Sequence, residues 1–274
     1  MKRMLALPLL FAAALTGQVS LDEKGGIQKA AVAENPYPSE EDARIVALFD
    51  GLRVADVTDA MDKIGIPDSG LMHPDVKALW RDTDGFTHRI QGIALTARYV
   101  RTNRRVPRTS PEEWDKWAGQ WYGTIGKEQF VPLIRTGSVL VIDASEDGDS
   151  GTVGSNNVMN WKLRGLKGIV TSGGARDTDE IIKERVPVYL KRITRGYPPG
   201  RNELESVNAP VMCGGVLVRP GDVVVADGDG VVVVPRHHAE EAAKYARAIL
   251  DRDKAGRRKL YEKLGLPPDK SVLP

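Results

Sequence analysis

The stretch that decides the fold of this chain runs from Ser138 to Lys183. It contains, in order, SVLVID at 138–143, a polar loop ending in GSNN at 154–157, GIVT at 168–171 and SGGARD at 172–177. An apolar run, a loop, a helical segment and a second apolar run predict a strand–helix–strand unit. Its strands should be parallel and joined by a right-handed crossover.

Two glycine-bearing segments follow the strands of this unit, GSNN at 154–157 and GGARD at 173–177. In parallel units the loops beyond the carboxyl ends of the strands come together, and ligands bind there. We therefore expect the glycine loop Gly154–Asn157 and the pair Arg176 and Asp177 to form one site.

The residue types at this expected site suit a 2-oxo acid. The glycine loop, Gly154-Ser155-Asn156-Asn157, opens a helix, so its free N–H groups favour an anion. Arg176 can hold a carboxylate or oxo group in bidentate fashion, and Asp177 is a hard oxygen ligand for Mg²⁺ or Mn²⁺. Such a metal withdraws electrons from the acid, while the amides and Arg176 stabilise the enolate left when a carbon–carbon bond breaks.

A purely structural interpretation of the same residues stays open. Asp177 followed by Glu180 makes a good capping box for a helix over 178–183. The pair Gly173 and Gly174 can equally serve a tight turn. The residues alone do not choose between these roles and catalysis.

Composition sets broad limits. A chain of 274 residues forms one large or two small domains, and 41% apolar and 28% charged residues are ordinary for a globular protein. The formal net charge of +2 is too small to indicate a nucleic-acid partner. The single cysteine, Cys213, lies in an apolar run and is predicted to be a buried, inert thiol.

The N-terminus has the pattern of a secretory signal peptide over residues 1–17. Lys2 and Arg3 precede the apolar run Met4–Leu15, which is too short for a permanent membrane span. We expect a periplasmic or secreted protein without a membrane span in the mature chain. If the leader is not cleaved, it is a buried helix of a cytoplasmic protein. Residues 18–38 are polar, and a linker is predicted there.

Further elements are predicted from periodicity and turn residues. They are a helix beginning at Ser39, a helix over Val57–Ile64 capped by Asp56 or Thr58, a strand over Ile90–Arg101, a strand over Val186–Leu190, a polar loop over Arg195–Asn208, strands over Val211–Val218, Val223–Ala226 and Val231–Val234, and a long helix over Arg236–Leu264 ended by Gly265.

Between the strand at 90–101 and the central unit lies a segment rich in arginine and tryptophan. Its basic cluster, Arg98, Arg101, Arg104, Arg105 and Arg108, either attracts an anionic substrate or is a solvated face. Ser110 and Pro111 begin a helix that carries Trp114, Trp117 and Trp121 on one face. We favour a helix packed on the core or at a subunit interface, and the alternative is a roof over the site.

The sequence gives little support for other metal sites. Asp56, Asp59 and Asp62 are better explained by a solvated face or helix caps, and Asp227–Gly230 by a hairpin turn, since strand residues follow it at once. The pair His237 and His238 lacks a third ligand at a suitable spacing.

Several segments of the chain together resemble the RraA-like family, which includes 4-hydroxy-4-methyl-2-oxoglutarate aldolases and the regulator of ribonuclease activity A. The segments are Gly154–Asp179 with its GGARDTDEI, VADVTDA at 54–60, VMCGGV at 211–216, VRPGDVVVAD at 218–227 and the strand through Val231–Pro235. The resemblance covers roughly residues 45–245. It implies a single domain over 39–265 with an insertion near 103–130, and a tail over 266–274.

The resemblance implies an α/β fold of the swivelling β/β/α type with flanking N- and C-terminal helices, in homotrimers or homohexamers with sites between subunits. It implies that the glycine loop Gly154–Asn157 binds substrate through its backbone, Arg176 contacts the pyruvyl part, and Asp177 binds the divalent metal. The implied enzyme is a class II, metal-dependent aldolase or oxaloacetate decarboxylase-like lyase that releases pyruvate from a 2-oxo acid.

One position departs from the family pattern. Members usually carry an acidic residue directly after the loop glycine, whereas this chain has Ser155, and Asn157 replaces leucine. Backbone contacts survive such changes, but a carboxylate that orders water or transfers a proton does not. Two alternatives therefore stand beside the lyase: a non-catalytic regulator that binds a protein partner, and a ligand-binding protein that has lost catalysis.

Overall fold

The computed structural model describes residues 30–273. The signal peptide predicted over 1–17 and the first part of the predicted linker lie outside these residues. The helices are α1 Ser39–Leu48, α2 Val54–Lys63, α3 Pro111–Gly123, α4 Ser155–Leu163, α5 Thr178–Lys183 and α6 Ala239–Leu264. The strands are β1 Ala31–Val32, β2 Lys77–Ala78, β3 Ile90–Arg101, β4 Ser138–Asp143, β5 Gly168–Ala175, β6 Val188–Ile193, β7 Asn202–Val207, β8 Val211–Cys213, β9 Val216–Val218, β10 Val223–Asp227 and β11 Gly230–Val234.

Most of the described strands form one mixed sheet in the order β1-β7-β3-β4-β5-β6-β2, and β10 and β11 continue it from the start of β3. Strands β3 to β6 are parallel neighbours, with Val139 opposite Gly168 and Ile142 opposite Thr171 in the central pair. Helix α4 joins β4 to β5, so the predicted parallel strand–helix–strand unit is confirmed.

The central strands are buried on both faces, because each face has its own cover. Leu140 and Ile142 of β4 pack with Val158 and Trp161 of α4, on the helical side of the sheet. Their neighbours Val139 and Val141 pack instead with the small β8–β9 hairpin. A hairpin layer, the main sheet and a helical layer give the β/β/α architecture predicted for the chain.

A third cluster joins the N- and C-terminal helices to the β10–β11 end of the sheet. Ile45 and Phe49 of α1 and the alanines of α6 pack against Val223 and Val225 of β10. Helix α6 ends at Gly265, whose left-handed φ of 68° is a favourable glycine C-cap. The predicted hairpin over Asp227–Gly230 and the long terminal helix are confirmed.

Two boundary predictions were wrong. The polar segment 195–208 contains strand β7, because its inward side chain Asn202 is polar and is satisfied by side-chain partners rather than by apolar packing. Helix α2 begins at Val54 and not at 57. Its N-cap is Arg53, whose backbone N–H donates to the Asp56 carboxylate over 3.0 Å.

The glycine pair Gly173 and Gly174 lies inside strand β5 and makes no turn, which corrects the expectation of a second glycine turn. The reason is close packing. A Cβ on Gly173 would lie 2.6 Å from the Ala144 side chain, and one on Gly174 would lie 2.7 Å from the Arg192 carbonyl oxygen. Among residues 30–273, no helix combines the length and apolarity needed to cross a membrane.

Candidate active site

The glycine loop and the Arg176–Asp177 pair meet at the carboxyl ends of β4 and β5. Val153 forms a parallel bridge with Ala175, and the Arg176 N–H donates to the Val153 carbonyl over 2.9 Å. The backbone N–H of Ser155 lies 3.4 Å from Oδ2 of Asp177. The structure therefore brings together the two segments that the sequence placed at one edge of the sheet.

These segments line a small, partly open cleft of about 100 Å³. Five of the predicted site residues line it, namely Gly154, Asn156, Asn157, Arg176 and Asp177, while Ser155 takes part through its backbone N–H. The remaining wall is formed by Tyr99, Trp121, Tyr122, Gly126, Glu128, Gly151, Thr152, Pro198 and Asn202.

Asp177 does not cap helix α5 with its side chain. It occupies the N-cap position in the left-handed region, at φ 56° and ψ 39°, and its carboxylate makes no capping hydrogen bond. The proposed capping box with Glu180 is therefore wrong. A non-glycine residue with this φ is strained, and such residues concentrate at functional sites. The strain here turns the carboxylate toward Ser155 and the pocket.

Glycines make room for both charged side chains of the pair. A Cβ on Gly151 would lie 2.5 Å from Cδ of Arg176, so the arginine stem runs directly over that glycine. A Cβ on Gly154 would lie 3.1 Å from Oδ2 of Asp177. The Arg176 guanidinium lies 5.4 Å from the Tyr197 ring centroid and 3.7 Å from the Asp177 carboxylate, and so it is oriented from two sides.

A buried polar network supports the loop that carries Gly151, and sequence analysis missed it. The Asp147 carboxylate accepts hydrogen bonds from Thr152 at 2.9 Å and Asn202 at 3.1 Å, and pairs with Arg192 at 2.9 Å. Burial raises the pKa of Asp147, and these partners oppose that shift. No local pattern reveals the network, because its members come from three separate segments of the chain.

Glu128 is a second carboxyl in the pocket, and it was also missed from the sequence. Its oxygens accept hydrogen bonds from Asn157 Nδ2 at 2.5 Å and Trp161 Nε1 at 2.9 Å. Burial raises the pKa of the Glu128 carboxyl above its usual value, and the Trp161 bond offsets only part of that shift. The residue lies outside the motifs of the central unit, so its role could not be inferred from them.

Helix α3 both packs a core of its own and covers the site. Trp114, Trp117 and Trp121 stack in sequence, with ring centroids 4.9 Å and 5.3 Å apart. Trp121 and Tyr122 also line the pocket. The favoured interpretation as a packing helix is therefore incomplete, because the alternative of a roof over the site holds as well. Its predicted N-cap is confirmed: Ser110 forms a capping box with Glu113.

The arginines of the basic cluster at 98–108 do not line the pocket. Arg104 pairs with Glu203 at 2.9 Å, and Arg98 lies 3.5 Å from Asp143. Among the described residues that line the pocket, Arg176 is the only cationic side chain. The cluster is therefore a partly paired surface and not a wall of this site.

Asp177 fits one kind of metal site and not another. Within residues 30–273 no group of three or more histidine, cysteine, aspartate or glutamate side chains could hold an ion. That excludes a zinc-type cage there, but Mg²⁺ is commonly held by one or two carboxylates, with water and substrate completing its coordination. Asp177, half-exposed at the pocket, has the chemistry that such a site requires.

The other candidates from the sequence have structural roles. Asp56 is buried in an ion pair with Arg53 at 2.6 Å, and its companions Asp59 and Asp62 are not part of a ligand cluster. Asp227 and Gly230 form the β10–β11 turn. Cys213 is fully buried, and burial raises its pKa to about 12, which confirms the expectation of an inert thiol.

Comparison with known proteins matches the part of the chain that contains the glycine loop and the Arg176–Asp177 pair. The sequence profile of the RraA-like family, described as Aldolase/RraA, matches residues 54–233. A protein of Halalkalibacterium halodurans named "Putative 4-hydroxy-4-methyl-2-oxoglutarate aldolase" is 31% identical over 126 residues, covering 46% of this chain and 60% of that protein. A protein of the same name from Deinococcus radiodurans is 30% identical over 156 residues, covering 56% of this chain and 82% of its own length.

Among solved structures, a Streptomyces coelicolor protein superposes with a TM-score of 0.63 and 27% identity, over 80% of this chain and 98% of its own. It is described as an unusual member of the RNase ES inhibitor RraA protein family. An uncharacterized protein of Pseudomonas syringae gives a TM-score of 0.62 at 26% identity, over 84% of this chain and 98% of its own. From the profile match and these likenesses together, the chain belongs to the RraA-like family.

Proposed function

We propose that this protein is a divalent-metal-dependent carbon–carbon lyase that releases pyruvate from a 2-oxo acid, by retro-aldol cleavage, by oxaloacetate decarboxylation, or by both. The observation that carries the proposal is the convergence of helix-opening amides, one arginine and one strained carboxylate in a single cleft. The aldolase names of relatives about 30% identical to this chain support the same class of reaction.

The chain's own groups would bind and orient the pyruvyl part. The guanidinium of Arg176 offers two parallel N–H donors to a carboxylate or oxo group. No side chain caps the start of α4, and Gly154, Asn156 and Asn157 at that helix start line the same cleft, so negative charge is favoured there. When the bond between C3 and C4 breaks, charge moves onto the 2-oxo oxygen, and donors already in place stabilise it without reorganisation.

Asp177 would hold the metal, with Mg²⁺ or Mn²⁺ as the suitable ions. When bound, such an ion polarises the 2-oxo group as a Lewis acid. The Asp177 carboxylate is free for this role because it makes no capping bond to helix α5. The aromatic residues Trp121 and Tyr122 line the cleft and give it an apolar side.

The test is pyruvate release from oxaloacetate and from 4-hydroxy-2-oxo acids, measured by coupling to lactate dehydrogenase. We expect turnover with Mg²⁺ or Mn²⁺, its loss in EDTA, and its recovery when the metal is restored. If the protein turns over none of these acids, the proposal is excluded. Turnover that persists unchanged in Arg176→Ala and Asp177→Ala would also exclude it.

A second candidate is a non-catalytic regulator that binds a protein partner, favoured by the likeness to the Streptomyces member of the RNase inhibitor family. Localisation separates the two. We propose that residues 1–17 are removed on export to the periplasm or medium, where a cytoplasmic ribonuclease is out of reach. N-terminal sequencing of the mature protein checks this, and an intact Met1 in the cytoplasm would favour the regulator.

We also propose that the protein assembles as a homotrimer or homohexamer. The family resemblance carries this proposal, because it places the sites of such assemblies between subunits. Light scattering at several protein concentrations measures the assembly directly. A monodisperse monomer that turns over a 2-oxo acid would exclude it.

A further inference from the structure

The cleft has two halves of different origin. The proximal half is the glycine loop with Arg176 and Asp177. The distal half is Trp121 together with the following loop to Glu128. That loop is tied to the helix end, since the N–H groups of Thr124 and Gly126 both donate to the Trp121 carbonyl, at 3.2 Å and 2.8 Å. Backbone hydrogen bonds therefore hold the distal half in place at the end of α3.

Trp121 presents an unused donor in this half of the cleft. Its side chain is 0% exposed, and its indole N–H finds no acceptor among residues 30–273. The nitrogen faces Gly126, where an added Cβ would lie 3.2 Å away, and Gly126 lines the cleft beside it. A buried N–H without a partner costs about 1–3 kcal/mol. A bound molecule that offers an oxygen here recovers that cost.

Glu128 presents an acceptor in the same half of the cleft. Both of its protein partners, Asn157 and Trp161, are neutral donors, and no cation of the described chain pairs with it within 4.0 Å. An ionised carboxylate has about four acceptor sites, so two hydrogen bonds leave room for a third. A group that brings a proton to Glu128 is therefore favoured.

A hydroxyl group satisfies both residues at once, since it accepts one hydrogen bond and donates another. A second carboxylate does not. It would face the Glu128 carboxylate, while the only cation among the described residues that line the cleft, Arg176, is engaged by the pyruvyl end. Bringing like charges together without compensation is costly in a partly buried site.

We propose that the distal half binds the 4-hydroxyl of the substrate between Trp121 Nε1–H and the Glu128 carboxylate. The substrate class is then a 4-hydroxy-2-oxo acid with an uncharged distal end, the aldol of pyruvate with a neutral aldehyde. This inference rests on the proposed function and goes further by naming the substrate class and a proton-transferring residue.

The chemical step follows from the placement. Glu128 takes the 4-hydroxyl proton, and the O–H electron pair forms the carbonyl of the departing aldehyde. The C3–C4 bond breaks, and its electrons form the pyruvate enolate, which Arg176 stabilises. The proton held by Glu128 then passes to C3 and gives pyruvate, so atoms and charges balance. The raised pKa of Glu128 suits a group that must both take and return a proton.

The experiment compares three acids in the presence of Mg²⁺: 4-hydroxy-2-oxopentanoate, which has a neutral end, 4-hydroxy-4-methyl-2-oxoglutarate, which has a second carboxylate, and oxaloacetate, which has no hydroxyl. For the wild type we expect kcat/KM to favour the neutral acid over the hydroxylated diacid by more than about tenfold, as one unpaired charge is worth at least that ratio. Oxaloacetate serves as the substrate that cannot use the hydroxyl site.

Two variants test the two residues. Glu128→Gln should lower kcat on 4-hydroxy-2-oxopentanoate by about 100-fold or more, the usual effect of losing a general base. It should lower oxaloacetate turnover by a clearly smaller factor, because that acid has no hydroxyl proton to remove. Trp121→Phe keeps an aromatic side chain and loses the indole N–H, so kcat/KM for the hydroxy acid should fall by about three- to tenfold. The control variants Glu112→Gln and Trp114→Phe, both on helix α3, should leave the substrate preference unchanged because neither residue lines the cleft.

The outcomes separate this inference from the proposed function. Equal losses on oxaloacetate and the hydroxy acid in Glu128→Gln would overturn the inference, since a general defect in folding or metal binding explains them. A wild-type preference for the diacid would overturn it too. In both cases, metal-dependent release of pyruvate would still support the proposed lyase function. No pyruvate from any acid would overturn the inference and the lyase together.

Discussion

The two halves of the cleft differ in how they are built. The proximal half comes from one continuous strand–helix–strand unit, in which the Arg176 N–H donates to the Val153 carbonyl over 2.9 Å and brings the functional groups together. The distal half comes from α3 and the loop to Glu128, which contact that unit through side chains such as Trp161 and Asn157. Backbone geometry fixes the first half, whereas side-chain packing fixes the second. The two halves should therefore respond to different substitutions.

The largest effect should come from the carboxylate of the proximal half. Asp177→Asn keeps the shape of the side chain but removes the charge that a divalent metal requires, so kcat should fall by about 100-fold or more on every substrate. Steady-state pyruvate release and titration calorimetry with Mn²⁺ measure the loss. The matched control is Asp179→Asn, on the exposed side of α5, which should behave as the wild type.

A smaller effect should follow from crowding the Arg176 stem. Gly151→Ala places a Cβ 2.5 Å from Cδ of Arg176 and 3.0 Å from the Gly196 carbonyl oxygen, so the guanidinium must move. Because a misplacement of about 1 Å can cost roughly 100-fold, we expect a loss of about 10- to 100-fold in kcat/KM on all acids. Gly119→Ala on α3 meets no neighbour within 4 Å. It should retain activity and gain about 0.5–1 kcal/mol of stability.

Removing the packing of α3 should disturb the distal half alone. Trp117 is buried and stacks on Trp121 with centroids 5.3 Å apart. Trp117→Ala should lower the free energy of unfolding by about 3 kcal/mol and raise KM for hydroxy acids. The binding of oxalate, which needs only the proximal half, should change little. A parallel loss of oxalate affinity in this variant would show that the halves are coupled.

The smallest expected effect is a change in how the stability of the fold depends on pH. The folded-state pKa of Glu128 is raised above its ordinary value of 4.5, chiefly by burial. The favourable contribution of Glu128 to the free energy of unfolding is fully present below that value and is lost as pH rises through the folded-state pKa. The wild type should therefore lose stability relative to Glu128→Gln as pH increases above about 4.5. The facing groups Tyr99 and Tyr122 have pKa values raised by burial and stay neutral over this range. Urea denaturation at several pH values measures the difference, and parallel curves for the two proteins would contradict it.

The sequence was most informative where local patterns coincide with tertiary neighbours. Apolar runs at 138–143 and 168–171 predict parallel strands, and parallel strands necessarily bring their following loops to one edge. For that reason the sequence alone places Gly154 beside Arg176. The same reasoning failed for β7, whose inward residue Asn202 is polar and is satisfied by Thr152 and Asp147 from a distant segment.

Two side-chain roles depend on tertiary geometry. Asp177 in the sequence fits a helix cap as well as a metal ligand, and only its left-handed backbone and missing cap bond rule out the cap. Glu128 is one glutamate among many in the sequence. Its position against Asn157 and Trp161 depends on how α3 packs, which no periodicity reveals.

By itself, the sequence determined the central unit and the meeting of the glycine loop with Arg176 and Asp177, because these follow from backbone hydrogen bonding between segments close in the chain. Its motifs also identified the family. The tertiary structure alone decided which residues from outside the central unit face the cleft. Trp121 and Glu128 are brought there by side-chain packing between segments about 30 residues apart, and the energy of such packing depends on shape and not on local pattern.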